Sequence, residues 1–135
     1  MNSRQHQIPV ILVALLFAIA IVNGLAEVNH WYWTRRWFDM PMHFAGGVWL
    51  AGFGVWWQYT RHGLPVQGFK ALLGVCLVFA ISIGLFWEAY EAVVSFLTVG
   101  HMNAMPDTLS DLLFDILGSI TVAILVFVRA KLKTT

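Results

Sequence analysis

The chain has 135 residues, 59% of them hydrophobic and 11% charged, with a mean hydropathy of +0.73. So apolar a composition excludes a soluble domain of this size and marks an integral membrane protein with no room for a second domain. Eight basic against seven acidic side chains give a net charge of +1, and because the basic residues are scattered, no nucleic-acid partner is expected.

A bilayer-spanning helix takes roughly 20 mostly apolar residues, and the sequence supplies four such stretches, at about 8–26, 40–59, 69–97 and 108–128. The expected fold is therefore all-α: a four-helix transmembrane bundle forming a single domain. The first stretch, Ile8 to Ala26, follows Arg4 in the manner of a signal peptide. It lacks an A-x-A-like cleavage site and reads as a retained spanning helix. The loop after it gathers Trp31, Trp33 and Trp37, residues suited to a membrane interface.

The second stretch opens on Asp39-Met40-Pro41, a helix-start pattern with Asp39 as N-cap and proline in the first turn. His43 follows Asp39 by four residues and so shares its face. Gly46, Gly47, Ala51, Gly52 and Gly54 come next, small residues of the kind that let membrane helices approach closely. They read as packing, would bring His43 toward another helix, and offer a contact for a possible homo-oligomer. Trp56, Trp57 and Tyr59 close this helix as a second aromatic belt.

The third stretch is longer than a bilayer requires, so it should tilt or project. Its lone Cys76 reads as a small core hydrophobe and excludes an intrachain disulfide. Near its far end, Glu88 and Glu91 stand in Trp87-Glu88-Ala89-Tyr90-Glu91. The fourth stretch follows Pro106 and stacks Asp107, Asp111 and Asp115 at i, i+4 and i+8 along one stripe. Thr108-x-x-Asp111 resembles a capping box, which leaves Asp107 and Asp111 open to either a helix-start or a site role. Asp115 lies too deep for the former.

Arg4, Arg61, Lys70, Arg129, Lys131 and Lys133 fall at one surface and only Arg35 and Arg36 at the other. The positive-inside rule then places both termini in the cytoplasm, with the protein multi-pass in the cytoplasmic (inner) membrane. In this threading all seven acidic residues, Glu27 included, lie with His43 at or just below the outer surface. Ionisable groups at membrane depth cost several kcal/mol unless paired, hydrated or ion-bound, so they mark a functional site. Stacked carboxylates repel unless a proton or a cation intervenes. A divalent metal cation, of unspecified identity, held by Asp39, His43, Glu88, Glu91, Asp107, Asp111 and Asp115 resolves the repulsion. The other resolutions are protonation or pairing with Arg35 or Arg36. His30 and His101, in the outer loops, are further ligand candidates. No nucleophilic serine or cysteine and no phosphate-binding glycine loop are recognisable, Ser110 reading as a helix-start residue.

The order Asp39-Met40-Pro41-Met42-His43-Phe44, then Trp87 to Glu91, then Asp107-Thr108-x-x-Asp111-Leu112-Leu113 through Gly118 resembles the VanZ-like group of small membrane proteins. The YjdF-like branch, with its paired glutamates and paired aspartates, fits best. That pattern usually carries an arginine before the aspartates and an asparagine where Asp115 stands; this chain has His101-Met102-Asn103 and an additional carboxylate. The resemblance implies a link to glycopeptide (teicoplanin) resistance and otherwise assigns no reaction.

These features lead to an expected metal-dependent membrane enzyme, a hydrolase or transferase, or a lipid-binding protein. Its partner would be a membrane lipid headgroup or a lipid-linked envelope precursor, with His43, Glu88 or Glu91 as catalytic base. A cation- or proton-coupled transporter and a structural membrane subunit are the alternatives.

Overall fold

In hydrocarbon every backbone N–H and C=O must be satisfied within its own segment, so uninterrupted apolar runs become helices. The computed structural model describes residues 7–35, 37–62, 68–100 and 105–133. Within them lie α1 (Val10–Val28), α2 (Trp31–Thr34), α3 (Asp39–His62), α4 (Phe69–Val99) and α5 (Met105–Leu132), and no strand occurs among the described residues. The four long helices match the expected stretches with ends moved by no more than four residues, and α2 is an additional turn inside the first loop. Arg4, Arg36, His101 and Asn103 lie outside the described residues.

Local chemistry explains most of the boundaries. Pro9 precedes α1, and Pro41 and Pro106 sit in the first turns of α3 and α5, where a missing N–H costs nothing. Gly100 stops α4 in the left-handed conformation at φ 77°, its N–H bonding the Phe96 carbonyl. At 31 residues, α4 is about 46 Å long against a hydrocarbon thickness of roughly 30 Å.

By length and composition α1, α4 and α5 can each cross a membrane, whereas α3 does not reach the same apolarity. The reason is visible in its sequence: glycine and tryptophan replace aliphatic side chains, Asp39 and His43 occupy one end, and Gln58, Arg61 and His62 occupy the other.

Despite that, α3 is the centre of the fold and packs against α1, α4 and α5. Gly47 of α3 abuts the Asp115 backbone and Gly118 of α5 abuts the Phe44 carbonyl, so the two backbones are in near contact; Asp39 stands near Asp111 and Ala51 packs with Val122 and Ala123, so α3 and α5 run parallel. Gly54 faces the Phe79 ring and Gly84 faces Asp115, so α4 runs antiparallel to both. The glycines thus close contacts with α1, α4 and α5 within one protomer. Ala51, Leu72, Cys76, Val122 and Ala123 form the apolar core where α3, α4 and α5 meet.

The first helix is held differently. Leu12 seats over Gly52, and the indole N–H groups of Trp49 and Trp56 donate to the backbone carbonyls of Leu12 (2.8 Å) and Gln7 (3.1 Å). The Tyr32 hydroxyl donates to Asn23 Oδ1 at 2.6 Å. Only Leu12 and Ala26 of α1 are buried, so nearly all of its apolar surface is left for lipid.

A Cβ added at Gly118 would meet backbone of α3, which cannot yield without separating the helices. Gly118→Ala is expected to cost about 1–3 kcal/mol through overpacking. Gly74→Ala, on α4 in open space, should be neutral or stabilising by up to about 1 kcal/mol through helix propensity. Thermal unfolding in detergent checks the pair; equal midpoints for the two variants would contradict the close crossing.

Candidate functional site

Because α4 is antiparallel to α3 and α5, the start of α3, the end of α4 and the start of α5 share one end of the bundle. The residues that converge there are Asp39 and His43 from α3, Glu88 and Glu91 from α4, and Asp111 and Asp115 from α5. His43, Glu88, Asp111 and Asp115 are buried, at 7%, 5%, 3% and 3% exposure, whereas Asp39 and Glu91 are half-buried at the mouth.

His43 is the hub. Its Nδ1 lies 3.5 Å from Asp115 Oδ2, and its Nε2 lies 3.7 Å from Asp39 Oδ1 and 3.9 Å from Glu88 Oε1. Two triads of ligand-type atoms, Asp39–His43–Asp111 and His43–Glu88–Glu91, each fit within 4.8 Å. Around one ion with bonds of about 2.1 Å, ligand atoms stand roughly 3–4.4 Å apart. Small side-chain adjustments therefore suffice for either triad to close on a cation. The donor set is rich in carboxylate oxygen with one imidazole, which suits a divalent ion.

Glu88 is the least compensated member. Neither carboxyl oxygen is accessible to water, and neither has a partner in well-formed hydrogen-bond geometry among the described residues, the Thr108 hydroxyl of α5 being the donor placed beside it. Glu91, by contrast, accepts a 2.8 Å hydrogen bond from the Trp87 indole one turn earlier. An uncompensated buried carboxylate costs several kcal/mol. Of the two arginines considered as partners, Arg35 lies over the Trp31 ring, 5.4 Å from its centroid, and Arg36 is outside the described residues.

The remaining candidates fall outside the cluster. Asp107 and Glu27 are exposed, and Asp107 belongs to neither triad. His30 sits in the turn between α1 and α2 with φ 56° and packs edge-on against Trp33. The capping box read at Thr108-x-x-Asp111 is corrected by the helix start at Met105, which leaves Asp107 in the first turn and moves Asp111 inside. Asp111 is thereby freed from capping. The acidic field is felt in the neighbouring loop: the Tyr32 phenol is pushed up to about 12, first by burial and then by the charges of Asp39, Glu27 and Glu91.

Gly84, which the sequence reading did not single out, and Thr108, which it read only as a helix-start residue, are neighbours of the cluster. Gly84 precedes Glu88 by one helical turn and so lies on the same face, a signal that was available. The proximity of Thr108 to Glu88 depends on how α4 and α5 pack, and no sequence pattern announces it.

A family model described as "Predicted membrane protein (DUF2238)" matches residues 3–132, and the chain belongs to that family. No curated protein and no solved structure matches the chain.

Glu88→Gln removes the uncompensated charge while keeping the shape. With a chelator present, the variant should unfold at the same or a higher temperature than the wild type. With millimolar Mn²⁺ or Zn²⁺, the wild type should gain about 2–3 kcal/mol at a hundredfold excess over Kd, and the variant less. A variant that is destabilised in chelator and gains as much from the ion would show that Glu88 is not a ligand.

Proposed function

We propose that this DUF2238 protein is a divalent-cation-dependent membrane protein that binds, and in the enzyme reading transforms, the polar headgroup of a membrane lipid or lipid-linked envelope precursor. The observation that carries it is Glu88: a buried carboxylate beside the Thr108 hydroxyl, with an oxygen 3.9 Å from an imidazole nitrogen that also faces Asp39. A cation would answer the negative charge gathered there, and oxygen and nitrogen donors from three helices offer it two triads that share His43. Asp39, His43 and Asp111, with Glu88 and Glu91 on the facing helix, would hold the ion. Bound there, a cation supplies a Lewis acid for a phosphoryl oxygen and lowers the pKa of a coordinated water.

The chain's own groups have distinct tasks in this scheme. Asp39 and Glu91, half-buried at the mouth, meet an arriving headgroup first. Glu88, well inside, is the group placed to accept a proton. Exposed Trp87 and Tyr90 of α4 border the site with amphipathic rings suited to the headgroup layer. The likeness of the three motifs to the VanZ-like group supports an envelope substrate.

The same threading supports four spans with α3 shielded by its neighbours, both termini in the cytoplasm and the site at the outer leaflet of the inner membrane. Transport is disfavoured by the interior: beyond Ser119 the core around Ala51, Cys76 and Val122 is apolar and gives ions no continuing path.

Two experiments test the proposal. Purified wild type should contain about one equivalent of a divalent metal by elemental analysis. His43→Ala and Asp111→Asn should lose it, together with turnover or binding of phospholipid headgroups, while retaining a helical circular dichroism spectrum. Metal-free wild type with full headgroup binding would end the metal reading. For topology, single cysteines at Trp37 and Arg61 in a Cys76→Ala background should be labelled by an impermeant maleimide from outside at position 37 and not at position 61. The reverse pattern would place the site on the cytoplasmic face.

A further inference from the structure

The cluster contains one carboxylate that stands apart from both triads. Asp115 is 3% exposed, belongs to neither set of ligand atoms that could share an ion, and meets His43 at Nδ1, the nitrogen turned away from Asp39 and Glu88.

Its seat is shaped for it. A Cβ on Gly84 of α4 would come within 2.5 Å of Asp115 Oδ2, and one on Gly46 of α3 would stand 3.8 Å from Oδ1. Gly47 lies directly against the backbone of the same residue. Glycines on two helices therefore leave room for a carboxylate at the base of the site, and a side chain at Gly84 would take that room away.

We infer that Asp115 is a positioning residue: from a glycine-lined niche it accepts the Nδ1–H of His43 and so turns the Nε2 lone pair toward Asp39 and Glu88, where an ion would bind. Histidine ligands characteristically donate their other ring N–H to a carboxylate, which fixes the tautomer and raises the basicity of the ligating nitrogen. The inference rests on the cation-site reading for its purpose, and on the His43–Asp115 contact alone for its chemistry. It reassigns Asp115, read from sequence as a direct ligand, to the support of one.

The test uses the full chain in nanodiscs with ¹⁵N-labelled histidine, the His43 ring signals being assigned by their loss in His43→Gln. Zn²⁺, which is diamagnetic, is the probe. In the wild type, Nδ1 should carry a hydrogen-bonded proton and Nε2 should shift on Zn²⁺ addition. Asp115→Leu should lose the hydrogen-bonded Nδ1–H signal and bind Zn²⁺ about 10–100-fold more weakly. Asp111→Asn should weaken Zn²⁺ binding with the Nδ1–H signal intact. Should Asp115→Leu not fold, Gly84→Ala is expected to give the same loss by displacing the carboxylate.

Two results overturn the inference: an unchanged Nδ1–H signal in Asp115→Leu or Gly84→Ala, or wild-type Zn²⁺ affinity in Asp115→Leu. If the wild type binds neither Zn²⁺ nor Mn²⁺, the cation reading fails by itself. The ring signals in chelator still decide whether Asp115 sets the tautomer.

Discussion

The backbones of α3 and α5 meet where Gly47 lies on Asp115 and Gly118 lies on Phe44, and the position of every polar group in the interior follows from that crossing. Where lipid rather than water surrounds the helices, association relies on van der Waals contact and interhelical polar bonds, and only residues lacking a side chain allow main chains to come so near. The crossing lies one turn from His43 on α3 and three residues from Asp115 on α5. It therefore presses the imidazole against a carboxylate, while Gly84 lets α4 come close enough to deliver Glu88 from the opposite direction.

Such an arrangement runs against the usual economics of burial. Removing one ion from water leaves an effective penalty of several kcal/mol, and a whole domain has only about 5–15 kcal/mol of net stability. Five carboxylates and one imidazole gathered at the end of three helices therefore call for protons or a positive charge among them. His43 is the only basic side chain in ion-pair contact with the cluster among the described residues. One imidazolium facing Asp39, Glu88 and Asp115 leaves most of the negative charge unanswered. A cation at either triad would answer more of it, and that balance is what makes a ligand-binding interior worth testing against a purely structural one.

Much of this was legible in the sequence because the relevant signals are periodic. Apolar runs gave the long helices, the four-residue spacing of Asp39 and His43 gave a shared face, and helix order alone put the ends carrying Asp39, Glu88 and Asp111 together. The glycines of α3 could be read as packing residues, yet which helix each would meet could not. That depends on the rotation of three helices about their axes, a tertiary quantity. The same ignorance hid the niche around Asp115, since Gly84 looks like any other glycine in an apolar helix until α5 is placed beside it. Asp107 and Asp111, four residues apart, looked alike from sequence. Only the start of α5 at Met105 separates the exposed one from the buried one.

Contributions from three helices also impose an order on biogenesis. A chain emerging from the ribosome delivers α3 and α4 to the bilayer before α5 has been made, so His43 and Glu88 enter without Asp111 and Asp115. During that interval the cluster is incomplete, and α3, which falls short of the apolarity of the other long helices, depends on its neighbours for shelter. Helix α5, translated after both, thus completes the polar interior and locks the crossing together. A chain truncated ahead of it would leave α3 and α4 as a poorly retained hairpin, the kind of orphan that membrane quality-control proteases recognise.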